Sequence, residues 1–476
     1  MKSSLAALHQ ATGLDPEVCR RARMSRDIRF DGEFYLAVRT TGIYCRPICP
    51  ARPPAEKNVL YFHSAAQAAQ AGYRPCLRCR PESAPNSPAW NGTSTTVQRA
   101  LRLLSDGALN TESLASLAER LGIGERYLRK LFQRELGVSP LAIALNQRLL
   151  FAKKLLAETS LPITEVAFAS GFGSVRRFNS AVQKQFKLPP SALRKQPGNQ
   201  EPQVSIKLQL QYRPPYDWKG VVNFYGRHAI GGVESVTPES YRRNIILDGA
   251  QGQVEVRPLP HRNALQLEVQ LSDHSMLMQV VARIRRMFDL DANPAAIHQV
   301  LGQDRQLAPL LKQFSGIRST GHWSLYEAAV RGIVGQQIST QAARGVLSRL
   351  AASAGSNDDA IMFPPAAAIA ALDNDQFPMP GRRRETLRAL CQSCSGHEDD
   401  LVMETAAGLK GVGPWTMAML AMRGDGQPDN FPNKDLALER AWSRLSTGSI
   451  DLQEQSARWR PWRCYAANLL WRSLST

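Results

Sequence analysis

No apolar run in the sequence approaches the roughly 20 residues that a membrane-spanning helix needs. The first twenty residues, MKSSLAALHQATGLDPEVCR, lack the apolar core of a signal peptide. The expectation is a soluble, cytoplasmic protein, and in a reducing compartment thiols point to metal binding or reactivity rather than disulfides. Cysteine is missing from the whole middle of the chain. Four of the eight fall between Cys45 and Cys79, and the others are Cys19, Cys391, Cys394 and Cys464. Acidic residues are scarce at the front. Net charge is +6 over residues 1–90, +9 over 91–199 and only +3 over the remaining 277, within a total of +18. A basic front suggests a polyanion, with nucleic acid ahead of an anionic membrane surface; the bland alternative is a solubilising surface.

At 476 residues the chain is too long for one ordinary core, and about three or four domains are expected. ESAPNSPAWNGTSTT (Glu82 to Thr96) and RKQPGNQEPQ (Arg194 to Gln203) read as linkers. The segment between them is helical by pattern. Beyond Gln203, VSIKLQLQY and LQLEVQL alternate apolar and polar residues, as half-buried strands do. From about Asp291 helical periodicity returns. The expected divisions are therefore 1–82, a linker at 83–96, 97–195, a linker at 196–203, 204–285 and 286–476.

The first division holds Cys45-x3-Cys49-x26-Cys76-x2-Cys79. Two short-range thiol pairs separated by a small domain's length fit one tetrahedral Zn²⁺, and so small a unit gains from such a staple. Four unrelated buried cysteines are the alternative. The stretch TGIYCRPICPAR…AAGYRPCLRCRP resembles the N-terminal domain of the Ada DNA-repair regulators, over about 45 residues. The resemblance implies that Cys45 both binds zinc and accepts a methyl group from a DNA methylphosphotriester, a step that needs a thiolate nucleophile. Arg46 and Arg52 could then hold the DNA backbone. Four thiolates on Zn²⁺ sum to −2, and methylating one leaves −1, so repulsion of phosphate falls. A purely structural zinc site is the competing reading.

LASLAERLGIGERYLRKLFQREL (Leu114 to Leu136) and ITEVAFASGFGSVRRFNSAVQKQF (Ile163 to Phe186) share one plan: a helix, a turn at Gly122 or Gly171, then a basic helix. LAIALNQRLLFAKKLLA forms the long helix joining them. An ordinary bundle can show one such motif by chance; two in tandem are more specific. Arg126, Arg129, Gln133, Arg176, Arg177 and Asn179 are the candidates for contacts with bases or phosphates. The segment resembles the AraC-type regulator domain, whose core is present as Gly171, Phe172, Ser174, Phe178 and Asn179.

LKGVGPWTMAMLAMRG (Leu409 to Gly424) places Gly411 and Gly413 between two helical segments, a turn whose backbone N–H groups can seat one phosphate. With VRGIVGQQIST upstream and DNFPNKDLALERAW downstream, the set resembles the helix–hairpin–helix DNA glycosylases. RPPYDWKGVVNFYGRHAIGGVESV and RWRPWRCYAANLLW narrow the likeness to the AlkA alkylbase glycosylases, over nearly all of 204–476. The resemblance implies an antiparallel, TBP-like sheet domain before the helical lobes. It also implies a catalytic role for Asp435, whose plain alternative is a helix N-cap that Asn433 could also serve. Aromatic positions around the flipped base match at Trp415 and Trp471 but are replaced at Met419 and Leu436. The residue that fills the DNA gap is expected near GIRSTGHW. Relatives that also cut the strand carry a lysine where this chain has Trp415, so a monofunctional glycosylase is expected. CQSCSGH (Cys391 to His397) offers three ligands and no clear fourth, which argues against a metal. The iron–sulfur pattern of some glycosylases is absent, and so is the Pro-Cys-His-Arg centre of the guanine-methyl transferases.

The whole is read as a multidomain α+β chain: a small four-cysteine zinc domain, an all-α tandem helix-turn-helix domain, an antiparallel-sheet domain and all-α glycosylase lobes. The resemblances imply a methyl-accepting activator of repair genes fused to a DNA-3-methyladenine glycosylase. Its expected partners are alkylated DNA, promoter DNA and RNA polymerase, and its place the bacterial cytoplasm, with the nucleoid. A regulator whose glycosylase-like part only grips DNA is the rival, and a glycosylase whose front half only tethers it is another.

Overall fold

In the computed structural model of the chain, residues 15–81, 84, 95–194, 205–355, 360–377, 379, 381–396, 398–446 and 451–474 are described. Most of the expected linker at 83–96, all of 196–203, and His397 lie outside them. The chain divides into two compact units. One is Met1–Arg213 with Pro260–Gln266 and Leu271–Ala282; the other is Pro214–Leu259 with Leu267–Gln270 and Arg283–Thr476. No helix among the described residues is long and apolar enough to cross a membrane.

The first unit opens with four short strands, β1 (Tyr35–Val38), β2 (Ile43–Cys45), β3 (Val59–Phe62) and β4 (Arg74–Pro75), ordered β3–β1–β2–β4. β1 is antiparallel to β2 and β3, while β4 runs parallel to β2. Side chains alternate across the sheet, so both faces are covered. Leu36 and Val38 pack with Phe34, Tyr61 and the cysteines, and Tyr35 and Ala37 pack with Leu60, Phe62 and the helix Ala65–Gln70.

Two helix pairs follow, Leu114–Arg120 with Glu125–Leu136 and Ile163–Ala169 with Val175–Phe186. The long helix Pro140–Glu158 joins them as the repeat predicts. Ser113, Ser139 and Ser174 each cap a helix by accepting a bond from the third residue on, worth about 1 kcal/mol apiece. The second turn needs glycine twice over. Gly171 has φ +78°, and a Cβ there would sit 2.4 Å from Asn110. The long helix also grips the sheet: Lys153 Nζ donates to the Cys76 carbonyl at 3.0 Å, and Arg80 pairs with Glu158 at 2.8 Å.

β5 (Ile206–Gln211) has the alternating burial that its sequence predicts. In the second unit β6 (Glu234–Val236), β7 (Tyr241–Leu247) and β8 (Ala250–Leu259) form an antiparallel meander. Asp248 and Gly249, both at positive φ, make its two-residue turn, the conformation that an Asp-Gly pair favours. β9 (Ala264–Leu271) occupies the second stretch that alternation predicts as a strand. Below the meander, Arg243 pairs with Glu327 at 2.8 Å, and Arg331 bridges Glu327 and Glu234 at 2.8 and 2.7 Å. All four side chains are buried. Removing one partner would leave a buried charge uncompensated, at a cost of about 3–5 kcal/mol. The helices of this unit surround two apolar cores, one around Ile333, Leu350 and Leu390, the other around Leu307, Leu438, Trp459 and Leu470. The helix Pro414–Arg423 gives Leu420 to the first and Met422 to the second.

Candidate functional site

The parallel pairing of β2 and β4 explains how two distant thiol pairs meet. Tyr44 lies opposite Pro75, so the next residues, Cys45 and Cys76, stand side by side, and Cys76 N–H donates to the Tyr44 carbonyl at 2.9 Å. A tight turn after Cys45 brings Cys49 back, its N–H donating to the Arg46 carbonyl at 3.1 Å. The sulfurs of Cys45, Cys49, Cys76 and Cys79 all lie within 4.8 Å of one another. Tetrahedral ligands at about 2.3 Å from Zn²⁺ stand about 3.8 Å apart, so the four fit one ion. Backbone N–H groups of Arg46 and Arg78 donate to the sulfurs of Cys79 and Cys76 at 3.3 and 3.4 Å, which disperses thiolate charge. Four sulfurs this close ionise together only around a cation.

Arg46 departs from expectation. It is 3% exposed, its guanidinium bound to Asp31 and to the Cys79 carbonyl at 3.1 Å. It holds the thiol loop from inside, whereas Arg52 is exposed. Among the described residues no other group of three or more potential ligands converges. Cys391 and Cys394 lie buried in an apolar core.

On the helix pairs, Arg126, Arg129, Gln133, Arg176, Arg177 and Asn179 are all exposed on the second helix of each. Leu128, Leu131, Phe132, Phe178, Val182 and Phe186 turn inward from the same helices. The basic face is therefore outward by helical period. Arg129 shares its charge with Glu125, 2.6 Å away.

In the second unit Asp435 begins the helix Leu436–Leu445. Its Oδ1 accepts from the N–H groups of Ala437 and Leu438 at 3.0 and 2.9 Å. So it is the N-cap, and it is also more. Trp415 Nε1 donates to Oδ2 at 2.8 Å, and Trp471 Nε1 donates to Oδ1 at 3.2 Å. Four N–H donors thus fix one half-buried carboxylate at the positive end of a helix. Lys434 makes the approach possible by adopting φ +62°. Met419 lies one turn beyond Trp415 and is half-buried, and Leu436 is 75% exposed beside the carboxylate.

The hairpin before Trp415 is exposed at Gly411 and Gly413. Gly411 has φ +92°, and a Cβ there would meet Thr386 Oγ1 at 2.9 Å. Gly413 caps the helix Pro414–Arg423 with no side chain, leaving its end open. Gln336 braces the hairpin by donating to the Gly411 carbonyl at 2.8 Å and to Thr416 Oγ1 at 3.0 Å. The sequence reading missed Gln336; it stands within the GQQ stretch, but nothing local shows what it touches. Around GIRSTGHW, where the gap-filling residue is expected, four side chains turn inward. Ile317, Arg318, Thr320 and Trp323 are buried, with Arg318 donating to the Pro215 carbonyl at 2.9 Å.

Three family models match the chain: the metal binding domain of Ada over residues 18–82, a helix-turn-helix domain over 117–196 and the AlkA N-terminal domain over 207–324. A probable bifunctional transcriptional activator/DNA repair enzyme AlkA of Mycobacterium tuberculosis is 39% identical over 484 residues, covering 97% of each chain. DNA-3-methyladenine glycosylase 2 of Escherichia coli is 27% identical over 277 residues, 55% of this chain and 95% of that protein. The bifunctional transcriptional activator/DNA repair enzyme Ada of Escherichia coli is 38% identical over 135 residues, 28% of this chain and 37% of that protein. With the four sulfurs converging inside the first of these domains, the chain holds one zinc ion.

Proposed function

The chain belongs to the family of bifunctional transcriptional activator/DNA repair enzyme AlkA proteins, and from that membership we propose that it senses and repairs alkylated DNA with two separate sites. At the first, bound zinc keeps the sulfurs as thiolates. The Cys45 thiolate attacks the methyl carbon of a DNA methylphosphotriester. The S–C bond forms as the C–O bond breaks, and the electron pair stays on the phosphodiester. The thiol cluster loses one negative charge, so the basic face carrying Arg126, Arg176, Arg177 and Asn179 binds promoter DNA more tightly. The reader then recruits RNA polymerase to repair genes.

At the second site Asp435 drives release of an alkylated purine such as 3-methyladenine. The base carries positive charge and leaves with the electron pair of its N-glycosidic bond. Positive charge builds on the sugar, and the fixed carboxylate stabilises it and orients the attacking water. Trp415 and Trp471 flank the flipped base, with Met419 and Leu436 completing the pocket, while Gly411 and Gly413 hold a phosphate. Gln337 is exposed and non-glycine, yet held at φ +56° beside the braced hairpin. With Trp415 at the position of the strand-cutting lysine, the product is an intact abasic strand.

The observation that carries the reading is Asp435 held by two indoles in a chain that also gathers four thiols. After exposure to methylphosphotriester DNA, mass spectrometry should find one added CH2 on the peptide containing Cys45. A methyl group on Cys49, Cys76 or Cys79 would remove the assignment.

A further inference from the structure

We propose that Arg423 is a positioning residue for base excision: its buried positive charge lies against the Trp471 ring and fixes the indole whose N–H holds Asp435. The inference rests on the glycosylase reading above and deepens it.

Arg423 ends the helix that begins at the hairpin and carries Trp415 and Met419. It is 4% exposed. Its acceptors among the described residues are neutral: Nη1 donates to the Thr320 carbonyl at 2.6 Å and to Thr320 Oγ1 at 3.0 Å, and Nη2 donates to Asn468 Oδ1 at 2.8 Å. Among the described residues its Nε is buried with no acceptor. Burial pushes the guanidinium down to about 10. A cation taken out of water with no carboxylate hydrogen-bonded to it is costly; Asp289 attracts it without a hydrogen bond, and more must offset that cost.

The rings beside it do so. The guanidinium carbon lies 4.6 Å from the centroid of Phe224 and 5.3 Å from that of Trp471, within cation–π range of both. Phe224 is in turn stacked on His228 at 4.4 Å. A column of packed side chains therefore runs from His228 through Phe224 and Arg423 to Trp471, and ends at Asp435 through the 3.2 Å indole bond.

Two effects follow from the chemistry of the stack. A cation over an indole face attracts the ring and resists its rotation, so Nε1–H stays aimed at the carboxylate. It also draws π density away from the uncovered face, which then attracts a positively charged base less strongly. The geometry thus trades some grip on cationic lesions for a fixed catalytic carboxylate.

The test is a double-mutant cycle with Trp471. Single-turnover release of 3-methyladenine from duplex DNA is measured for the full chain, Arg423→Met, Trp471→Phe and the pair. Arg423→Met should slow release on the order of 10- to 100-fold, as misplacing a catalytic group does. In the Trp471→Phe background the same change should cost less than about threefold, because the indole N–H it acts through is gone. Arg423→Lys, which keeps the charge, should recover most of the rate. The preference for 3-methyladenine over an uncharged lesion such as hypoxanthine should rise in Arg423→Met, a change that general loosening does not produce. Arg423→Gln gives the same cycle should the methionine variant not fold. Equal losses in both backgrounds, or an unchanged lesion preference, would overturn the proposal while leaving the glycosylase reading intact. A wild-type chain that releases no base would overturn both.

Discussion

On the proposed function, Asp435 is one carboxylate that serves fold and chemistry together. Oδ1 caps a helix, while both oxygens receive indole donors. Asparagine is also a good N-cap, so Asp435→Asn should fold and bind damaged DNA within a few-fold of wild type. Losing the charge should cut base release by at least about 10²–10³-fold, read as free base by chromatography; retained release would mean that another group stabilises the sugar cation. Deeper in the same site, His228 stacks on Phe224 and donates Nδ1–H to its carbonyl at 2.7 Å. Burial, first among its causes, holds the imidazole down to about 4. Its folded value is depressed, so between about pH 6.5 and 4 the unfolded chain binds the extra proton and stability falls as pH falls. The full effect is about 3 kcal/mol. Melting temperatures of wild type and His228→Phe should therefore converge as pH drops through that window. Parallel curves would place His228 in water.

At the scale of elements, the helix pairs and the thiol loop could be read from the sequence because their signals are local. Apolar period, Ser caps and Gly171 fall within a few residues of what they shape, and Cys45, Cys49, Cys76 and Cys79 are spaced by the turns that close them. What escaped was non-local. Nothing near Arg46 shows that Asp31 will draw it inside, and nothing in GIRSTGHW shows that Pro215 will take the Arg318 guanidinium. The Asp435 clasp was legible only in part: its proposed catalytic role comes from family likeness, whereas the two indole bonds depend on residues 20 and 36 positions away. The exposed basic face makes its own prediction. Each arginine on a phosphate releases counterions, so Arg176→Ala with Arg177→Ala should weaken promoter binding and reduce the slope of log affinity against log salt by about 2. Titration of binding at several salt concentrations reads it, and an unchanged slope would turn those arginines away from DNA.

For the whole molecule, the charge map and the two units agree on a division of labour. The basic front carries the thiol cluster and the helix pairs, and the nearly neutral remainder carries the carboxylate site. The central claim is that one chain performs both chemistries independently. The most direct measurement incubates the full chain with methylated duplex DNA and counts free bases released, methyl groups on protein, and strand breaks before alkali. The account predicts base release and stoichiometric methyl uptake, with no breaks. Cys45→Ala should lose only the uptake and Asp435→Asn only the release. Loss of both activities from either single variant, or breaks before alkali, would contradict it.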